Sequence, residues 1–361
     1  AAYAGVRALL ALWRAPRRLG EVVAERRVRR AGQKLTRGLI HMAEGDWSRG
    51  ERLLAQSLRG TDAPLINYLL AARAAQLQGS DGRRDDWLKL AYEEMPEAET
   101  AVLLTQAELQ LEHQEFERAL ATLSSIQEAH PNHPVALALV AKIYQALEDW
   151  DQLIALLPQL GEARLDPREL ESLSAAALEV YVGRQGMTHD DLERVWGQLP
   201  ARLRKTPRLI AIYALALSAL GRGTEAEKEV RAALKRDWDE NLVLAYGRIH
   251  ASDAEKQLRR AEEWLKAHAE DGALLLTVAR LCMALELWGK ARSYLESSLA
   301  MSPRTDAYAL YGRLLNQFGE ESNAALAFSM GLGLVTGAVD ELPALDAPGT
   351  PIARDEAESV G

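Results

Sequence analysis

The side chains that could do chemistry in this chain are few and far apart. Its seven histidines are spread over the whole sequence, and Cys282 is the single cysteine. A metal or catalytic site gathers several His, Cys, Asp or Glu side chains at recognisable spacings, and the pair His130 and His133 has no third ligand near it in the sequence. A lone cysteine also cannot form an internal disulfide. We therefore expect no metal site, no catalytic residues and no enzyme activity.

The elements that carry these side chains are predicted to be helices in a repeating pattern. The apolar residues are mainly Leu and Ala, which favour helix over strand. Residues 101–134 contain an apolar stripe at helical spacing, a polar turn, a second stripe and a closing proline. Small residues are spaced twelve positions apart in the sequence, where the two helices of a repeat would cross, as in Ala107 and Ala119. The same spacing recurs in four further pairs: Gly38 with Gly50, Ala214 with Ala226, Ala279 with Ala291, and Gly312 with Ala324.

This pattern resembles the tetratricopeptide repeat. The predicted fold class is therefore all-α, a tetratricopeptide-like α-solenoid of about eight or nine helical pairs stacked into a right-handed superhelix. Some units depart from the pattern. Residues 78–86 (QGSDGRRDD) are predicted to be an inserted loop, residues 240–270 have a stretched turn, and residues 161–206 barely fit.

The predicted organisation has five segments. Residues 1–32 hold the end of a membrane anchor and a basic juxtamembrane helix, and residues 33–160 form an N-terminal sub-array of repeats. Residues 161–206 form an irregular helical joint, and residues 207–337 form a C-terminal sub-array. Residues 338–361 are rich in proline, glycine and acids, so we expect a disordered acidic tail.

Basic residues recur at one place in the repeat. In five units the residue just after the small position of the first helix is basic, and we call these five the basic line: Arg73, Lys142, Arg248, Arg280 and Arg313. In the tetratricopeptide fold this position faces the groove, so the resemblance implies a broken basic line that binds a partner protein. The alternative is that each charge pairs with an acid on the next unit and only covers the surface.

Positive charge is concentrated at the N-terminus of an acidic protein. The formal net charge is −9, yet residues 1–37 contain ten Arg or Lys against two Glu. The acidic remainder would repel nucleic acid, so we expect no nucleic-acid partner and an anionic lipid surface instead. The predicted membrane-surface residues, here called the basic collar, are Trp13, Arg14, Arg17, Arg18, Arg26, Arg27, Arg29 and Arg30.

An apolar segment precedes the basic collar. Its thirteen residues, AAYAGVRALLALW, are too few to span a bilayer, which takes ~20. They look like the last turns of a spanning helix, and the chain does not begin with Met, so we expect further residues upstream. By the positive-inside rule the arginines place the repeat body on the cytoplasmic face.

The N-terminal residues also resemble a particular family. The apolar segment, WRAPRRL, the arginine-rich helix and the first repeat KLTRGLIHMAEGDWSRGERLL are similar to the HemY family, most specifically over about residues 10–58. These are bacterial inner-membrane proteins with a tetratricopeptide body, associated with late haem biosynthesis. The resemblance implies a membrane-tethered, non-catalytic scaffold that organises or regulates haem-biosynthesis enzymes through protein contacts.

Two other functions stay open. Membrane-anchored tetratricopeptide proteins also act as adaptors in cell-envelope or lipopolysaccharide assembly. A haem or porphyrin carrier is the second alternative, because the basic line could meet porphyrin propionates and His41, His250 or Cys282 could approach an iron. All three lie on predicted first-helix stripes, where packing is the competing role, so no cofactor is assigned.

Overall fold

The structure, a computed structural model, describes residues 26–61, 63–163 and 165–336. Within these residues every regular element is a helix. The predicted all-α class is therefore confirmed. The apolar segment and the whole acidic tail lie outside the described residues. So do four residues of the basic collar: Trp13, Arg14, Arg17 and Arg18.

The described helices form nine consecutive pairs, in agreement with the predicted eight or nine. The first four pairs are α1 (26–43) with α2 (Trp47–Ser57), α3 (Pro64–Leu77) with α4 (Asp81–Glu94), α5 (Glu99–Glu112) with α6 (Phe116–Ala129), and α7 (Pro134–Ala146) with α8 (Trp150–Glu162). The fifth and sixth are α9 (Pro167–Val182) with α10 (His189–Gln198) and α11 (Pro207–Ala219) with α12 (Gly223–Leu234). The last three are α13 (Glu240–Tyr246) with α14 (Ala254–Trp264), α15 (Gly272–Ala284) with α16 (Trp288–Met301), and α17 (Thr305–Gln317) with α18 (Glu321–Thr336). Odd-numbered helices are the first helices of their pairs.

The chain divides into two compact units. The first contains Ala1–Ala177 and Gln198–Pro200, and the second contains Leu178–Gly197 and Ala201–Gly361. In the second unit one continuous cluster of buried side chains runs from Leu192 of α10 to Leu314 of α17. Successive pairs of this unit therefore share a core, which is typical of a repeat array.

Small residues lie where the helices of a pair cross, as the repeat spacing predicts. A Cβ atom on Gly50 of α2 would lie 2.7 Å from Cγ of Met42 and 3.2 Å from the carbonyl oxygen of Gly38. In the third pair Ala107 and Ala119 are completely buried. A larger side chain at these places would push the two helices apart, because the interior is already close-packed.

The turn inside a pair usually places one residue in the left-handed conformation. Gly45 does so between α1 and α2 with φ of 84°, and Glu286 does so between α15 and α16 with φ of 59°. Glycine adopts this conformation without steric cost, whereas a residue with a Cβ adopts it at some cost. The same turn conformation therefore recurs in most of the described pairs.

The predicted inserted loop at residues 78–86 is wrong, because α4 already begins at Asp81. The charged residues that suggested a loop are helical, and Arg84 among them is completely buried. Charged side chains are seldom fully buried unless they are paired. Arg84 is paired with Glu115, which lies in the turn between α5 and α6. The predicted stretched turn is confirmed, since residues 247–253 separate α13 from α14.

No helix among the described residues is both long enough and apolar enough to cross a membrane.

Candidate functional site

Three members of the basic line are paired with acids. In each case the acid lies on the first helix of the next pair, as the surface-pairing alternative expects. The contacts are Arg73 Nη2 with Glu112 Oε1 at 2.5 Å, Lys142 Nζ with Glu169 Oε1 at 3.9 Å, and Arg280 Nη2 with Asp306 Oδ2 at 2.7 Å. These charges therefore help to join neighbouring pairs, whatever else they bind.

Arg248 and Arg313 are different, because both are exposed and neither forms an ion pair within the described ranges. Arg313 lies on α17, as predicted. Arg248 does not lie on a first helix, since α13 has only seven residues and ends at Tyr246. Gly247 packs closely on α15, where a Cβ atom would lie 2.9 Å from Cα of Thr277. The helix stops early here, and the predicted position of Arg248 on the helix is corrected to the turn that follows it.

Arg248 and Arg280 line one pocket of the second unit, with a volume of about 460 Å³. Its walls come from α11, the turn after α13, α15 and α17. His250 stands beside the two arginines, and the apolar wall residues are Leu215, Ile249, Leu281 and Leu310. Arg73, Lys142 and Arg313 do not line this pocket, so the structure brings together two of the five predicted residues.

The guanidinium of Arg280 is only partly neutralised. Nη2 donates to Asp306, whereas Nη1 is buried and has no hydrogen-bond partner in the described part of the chain. Burial would raise the pKa of Asp306, but the hydrogen bonds and charges of Arg280 and Arg304 outweigh it and hold that pKa below its ordinary value. Asp306 is therefore ionised, and an acceptor that reaches Nη1 would remove the cost of an unsatisfied buried donor.

The backbone of the pocket is held by α11 and α12. The N–H of His250 donates to Oγ of Ser218 on α11 at 2.9 Å. A Cβ atom on Gly223, at the start of α12, would lie 1.8 Å from the carbonyl oxygen of His250. Only glycine permits this approach, so Gly223 and Ser218 fix the turn that carries Arg248. The repeat pattern did not reveal this role.

Cys282 and His41, two of the three residues predicted to approach an iron, do not line this pocket. Cys282 is completely buried, and burial raises the pKa of its thiol to about 11, which disfavours the thiolate that binds metals. His41 Nδ1 lies 3.4 Å from Glu44 at the end of α1. His250 is the one of the three predicted iron-approaching residues that lines the pocket. It is exposed in the connection after α13, so its predicted position on a helix stripe is wrong.

A group of acidic and histidine side chains in the first unit escaped the sequence reasoning. One ligand atom each from Asp81, His113 and Glu115 lie within 4.8 Å of one another. Asp81 and Glu115 also contact the buried guanidinium of Arg84, at 3.4 and 2.5 Å. Arg84 supplies the positive charge that a metal ion would otherwise provide to these acids. The arrangement therefore joins two neighbouring helical pairs.

A guanidinium group beside apolar walls suits a carboxylate attached to an apolar body. Arginine binds carboxylates with two parallel hydrogen bonds, and pockets of about 300–1,000 Å³ with a few placed polar groups are typical ligand sites. An acidic side chain next to an apolar residue of a partner protein has this chemistry. A propionate group on a porphyrin ring likewise combines a carboxylate with an apolar body.

The comparisons with known proteins point to one family. Residues 1–79 match the family model described as the HemY protein N-terminus. The chain is 25% identical over 312 residues to Protein HemY of Escherichia coli strain K12, which covers 86% of this chain and 78% of that protein. Protein HemY of Shigella flexneri gives the same values. The predicted relationship to the HemY family is confirmed.

Solved structures with a similar helical arrangement are distant in sequence. The crystal structure of a tetratricopeptide repeat protein from Parabacteroides merdae is 12% identical, with a TM-score of 0.34, over 84% of this chain and 99% of that one. The structure of Naa15/Naa10 bound to HypK-THB is 17% identical, with a TM-score of 0.38, and the match covers 87% of this chain and 60% of that one. Likenesses of this size carry no statement about function.

Proposed function

We propose that this relative of the HemY proteins is a non-catalytic adaptor that binds partner proteins at its first helices and the turn after α13, and that it serves late haem biosynthesis at the bacterial inner membrane. The observation that carries the proposal is the pocket in which Arg248 and Arg280 stand among apolar walls. Stacked helical pairs supply binding surfaces of this kind. The relationship to the HemY proteins directs the search for partners to the enzymes of haem synthesis.

The pocket has the chemistry of an anchor point for a protein partner. Arg248 is exposed and unpaired within the described ranges, and Arg280 retains a buried unsatisfied donor. Arginine is among the residues that contribute most to protein–protein binding, especially next to apolar contacts that exclude water. We therefore infer that a partner inserts an Asp or Glu side chain between the arginines and rests an adjacent apolar residue on Leu281 and Leu310.

The basic collar supports a tether at the membrane. Arg26, Arg27, Arg29 and Arg30 are exposed on α1, and anionic lipid attracts such residues by about 1 kcal/mol each. The positive-inside rule then puts the repeat body in the cytoplasm. A fluorescent protein fused to the C-terminus should fluoresce in cells, and an active alkaline phosphatase fusion at the same place would contradict this orientation.

The adaptor proposal is tested by co-purification of the membrane-extracted full chain with its partners. We expect late haem-biosynthesis enzymes to accompany the wild-type chain and to fall about tenfold with Arg248→Gln, because a charge-assisted hydrogen bond is lost. Arg236→Gln is the matched control, since Arg236 is also exposed and unpaired in the described chain but lies outside the pocket.

Each result of this experiment has a distinct meaning. Equal recovery with both variants would show that the pocket is not the partner site. Recovery of envelope-assembly or lipopolysaccharide-assembly proteins, without haem enzymes, would replace the proposed pathway with the alternative adaptor function.

A tetrapyrrole carrier is the second candidate, and His250 favours it. An imidazole, two guanidinium groups and apolar walls in one pocket suit an iron porphyrin with its propionates. Titration with haemin should then shift the Soret band at micromolar concentrations, and His250→Ala should abolish the shift. The absence of any shift with the wild-type chain would exclude this candidate.

A further inference from the structure

A second pocket lies in the first unit, where the end of α2 approaches α1. Its volume is about 480 Å³, and basic side chains dominate its lining. Four come from α1 and one from the 3₁₀ turn that follows α2: Arg26, Arg27, Arg30, Lys34 and Arg59. The remaining described lining residues are Ala31, Gln56 and Gly60, so none of the described residues that line the pocket is acidic.

The five cations have no counter-ion in the described part of the chain. Arg26, Arg30 and Lys34 follow one another at intervals of four residues, which places them on one face of α1. Like charges at this spacing destabilise a helix. Elsewhere in the described chain many arginines are paired with acids, so the concentration of unpaired charge at this pocket is a distinct feature.

A close backbone approach brings Arg59 to α1. A Cβ atom on Gly60 would lie 2.6 Å from Cγ of Arg27 and 3.2 Å from its carbonyl oxygen. A side chain at residue 60 would therefore displace Arg27 or move the turn Leu58–Gly60 away from α1. The approach adds a fifth charge to the four that α1 already presents.

A buried hydrogen-bond network holds this turn in place. Oγ of Ser57 donates to the carbonyl oxygen of Leu54 at 2.8 Å, and Nδ2 of Asn67 donates to the same oxygen at 3.0 Å. Nδ2 of Asn67 also donates to Oγ of Ser57. Ser57 and Asn67 are completely buried. The base of the 3₁₀ turn is thus anchored in the core, and Arg59 extends from a fixed point.

We propose that this pocket binds a phosphate-bearing ligand, either the phosphoryl group of an anionic lipid headgroup or a free polyphosphate. Guanidinium groups bind phosphate oxygens with paired hydrogen bonds, and several negative charges are needed to balance five cations. The site differs from the basic collar, because it includes Lys34 and Arg59 and leaves out Arg29. It does not depend on the adaptor function, which rests on residues of the other unit.

The test compares two variants that remove the same charge. Arg30→Gln with Arg59→Gln changes the pocket, and Arg37→Gln with Arg52→Gln changes exposed arginines of α1 and α2 that belong to neither the pocket nor the basic collar. Binding of the full chain is measured by calorimetric titration with inorganic pyrophosphate. It is also measured by flotation with vesicles of phosphatidylcholine alone or of phosphatidylcholine with phosphatidylglycerol.

We expect the pocket variant to lose at least about tenfold in apparent affinity, because two charge-assisted contacts are lost, and the control to lose much less. A loss seen with pyrophosphate identifies free phosphates as ligands, and a loss seen only with phosphatidylglycerol vesicles identifies the lipid headgroup. Thermal unfolding of both variants checks that they fold. Should the pocket variant not fold, Arg30→Lys with Arg59→Lys keeps the charge but not the paired hydrogen bonds, and it should still weaken binding.

Equal losses in the two variants would overturn the proposal in favour of a diffuse attraction by the exposed basic residues of α1 and α2. Unchanged binding by the pocket variant would overturn it as well. A titration with single-stranded RNA completes the test. If the pocket variant loses RNA binding while its pyrophosphate and vesicle binding are unchanged, the pocket is a nucleic-acid site instead.

Discussion

Nη2 of Arg280 lies 2.7 Å from Oδ2 of Asp306 and joins the first helices of the last two described pairs. Asp306 also accepts a hydrogen bond from Nε of Arg304 at 3.2 Å, and Arg304 pairs with Glu240 at the start of α13. A residue predicted to bind a partner therefore also stabilises the repeat array. Its two roles can be separated by comparison with Arg248.

Arg280→Gln should lower both stability and partner binding. The change removes the charge-assisted bond to Asp306, so we expect the free energy of unfolding to fall by about 1–2 kcal/mol. Arg248→Gln should leave stability unchanged, since Arg248 has no ion pair within the described ranges. Urea denaturation of the two variants measures the difference, and equal stabilities would contradict a structural role for Arg280.

Arg84→Met should destabilise the first unit strongly. The guanidinium of Arg84 is completely buried and contacts Asp85 at 2.8 Å and Glu115 at 2.5 Å. Loss of these charge-assisted hydrogen bonds should cost about 1.5–3 kcal/mol, because Asp85 and Glu115 then keep only Arg118 as a charged partner. Lys89→Ala on the same helix is the control, since the Lys89 side chain is 73% exposed and its loss should cost little. Calorimetric melting of both variants provides the comparison.

The same network predicts a loss of stability in acid. The hydrogen bond from Arg84 is the largest cause that holds the pKa of Glu115 below its ordinary value. For Asp85, burial would raise the pKa, but the hydrogen bonds and charges of Arg84 and Arg118 outweigh it and lower the pKa. Both groups bind protons less tightly when folded, so their contribution is complete at neutral pH and is lost as the pH falls through the lowered folded values.

Unfolding free energies measured between about pH 6 and pH 3 should therefore decrease with falling pH. The decrease should be shallower in Arg84→Met, where the main cause of the low pKa of Glu115 is gone. An identical pH dependence in the variant and the wild-type chain would contradict this explanation.

Gly223→Ala should disturb the pocket of the second unit. The added Cβ atom would meet the carbonyl oxygen of His250 at 1.8 Å, so the turn after α13 must move. We expect a loss of about 1–3 kcal/mol in stability and weaker partner binding. Gly197→Ala in α10 is the control, because nothing lies within 4 Å of its Cβ position and alanine favours the helix. Equal effects of the two substitutions would contradict the close approach.

Cys282 should be inert in the folded chain. Its thiol is completely buried, and its pKa is raised to about 11 by burial, so very little thiolate exists near neutral pH. Iodoacetamide should label it only after denaturation, which mass spectrometry would detect. Rapid labelling of the native chain would show that the eighth pair opens readily.

Periodicity in the sequence determined the fold class, because the packing of a helical pair depends on residues close together in the chain. The apolar stripes and the small residues Gly38 and Gly50 form contacts within one helical pair, and similar contacts recur in the other pairs. The repeat spacing also identified the basic line, because its members occupy the same position in five of the repeats. Its spacing identified Arg280 correctly as a first-helix residue, although not its pairing with Asp306.

Only the tertiary structure decided which of these charges stand free and which are paired. Arg84 lies on α4 and not in the predicted loop, and its guanidinium pairs with Glu115, 31 positions later in the chain. Arg248 joins Arg280 in a pocket because α13 ends early, and Arg59 reaches α1 because Gly60 has no side chain. These relationships connect residues about thirty positions apart, one repeat length, and no local pattern encodes a contact whose geometry is set by the stacking of whole helices.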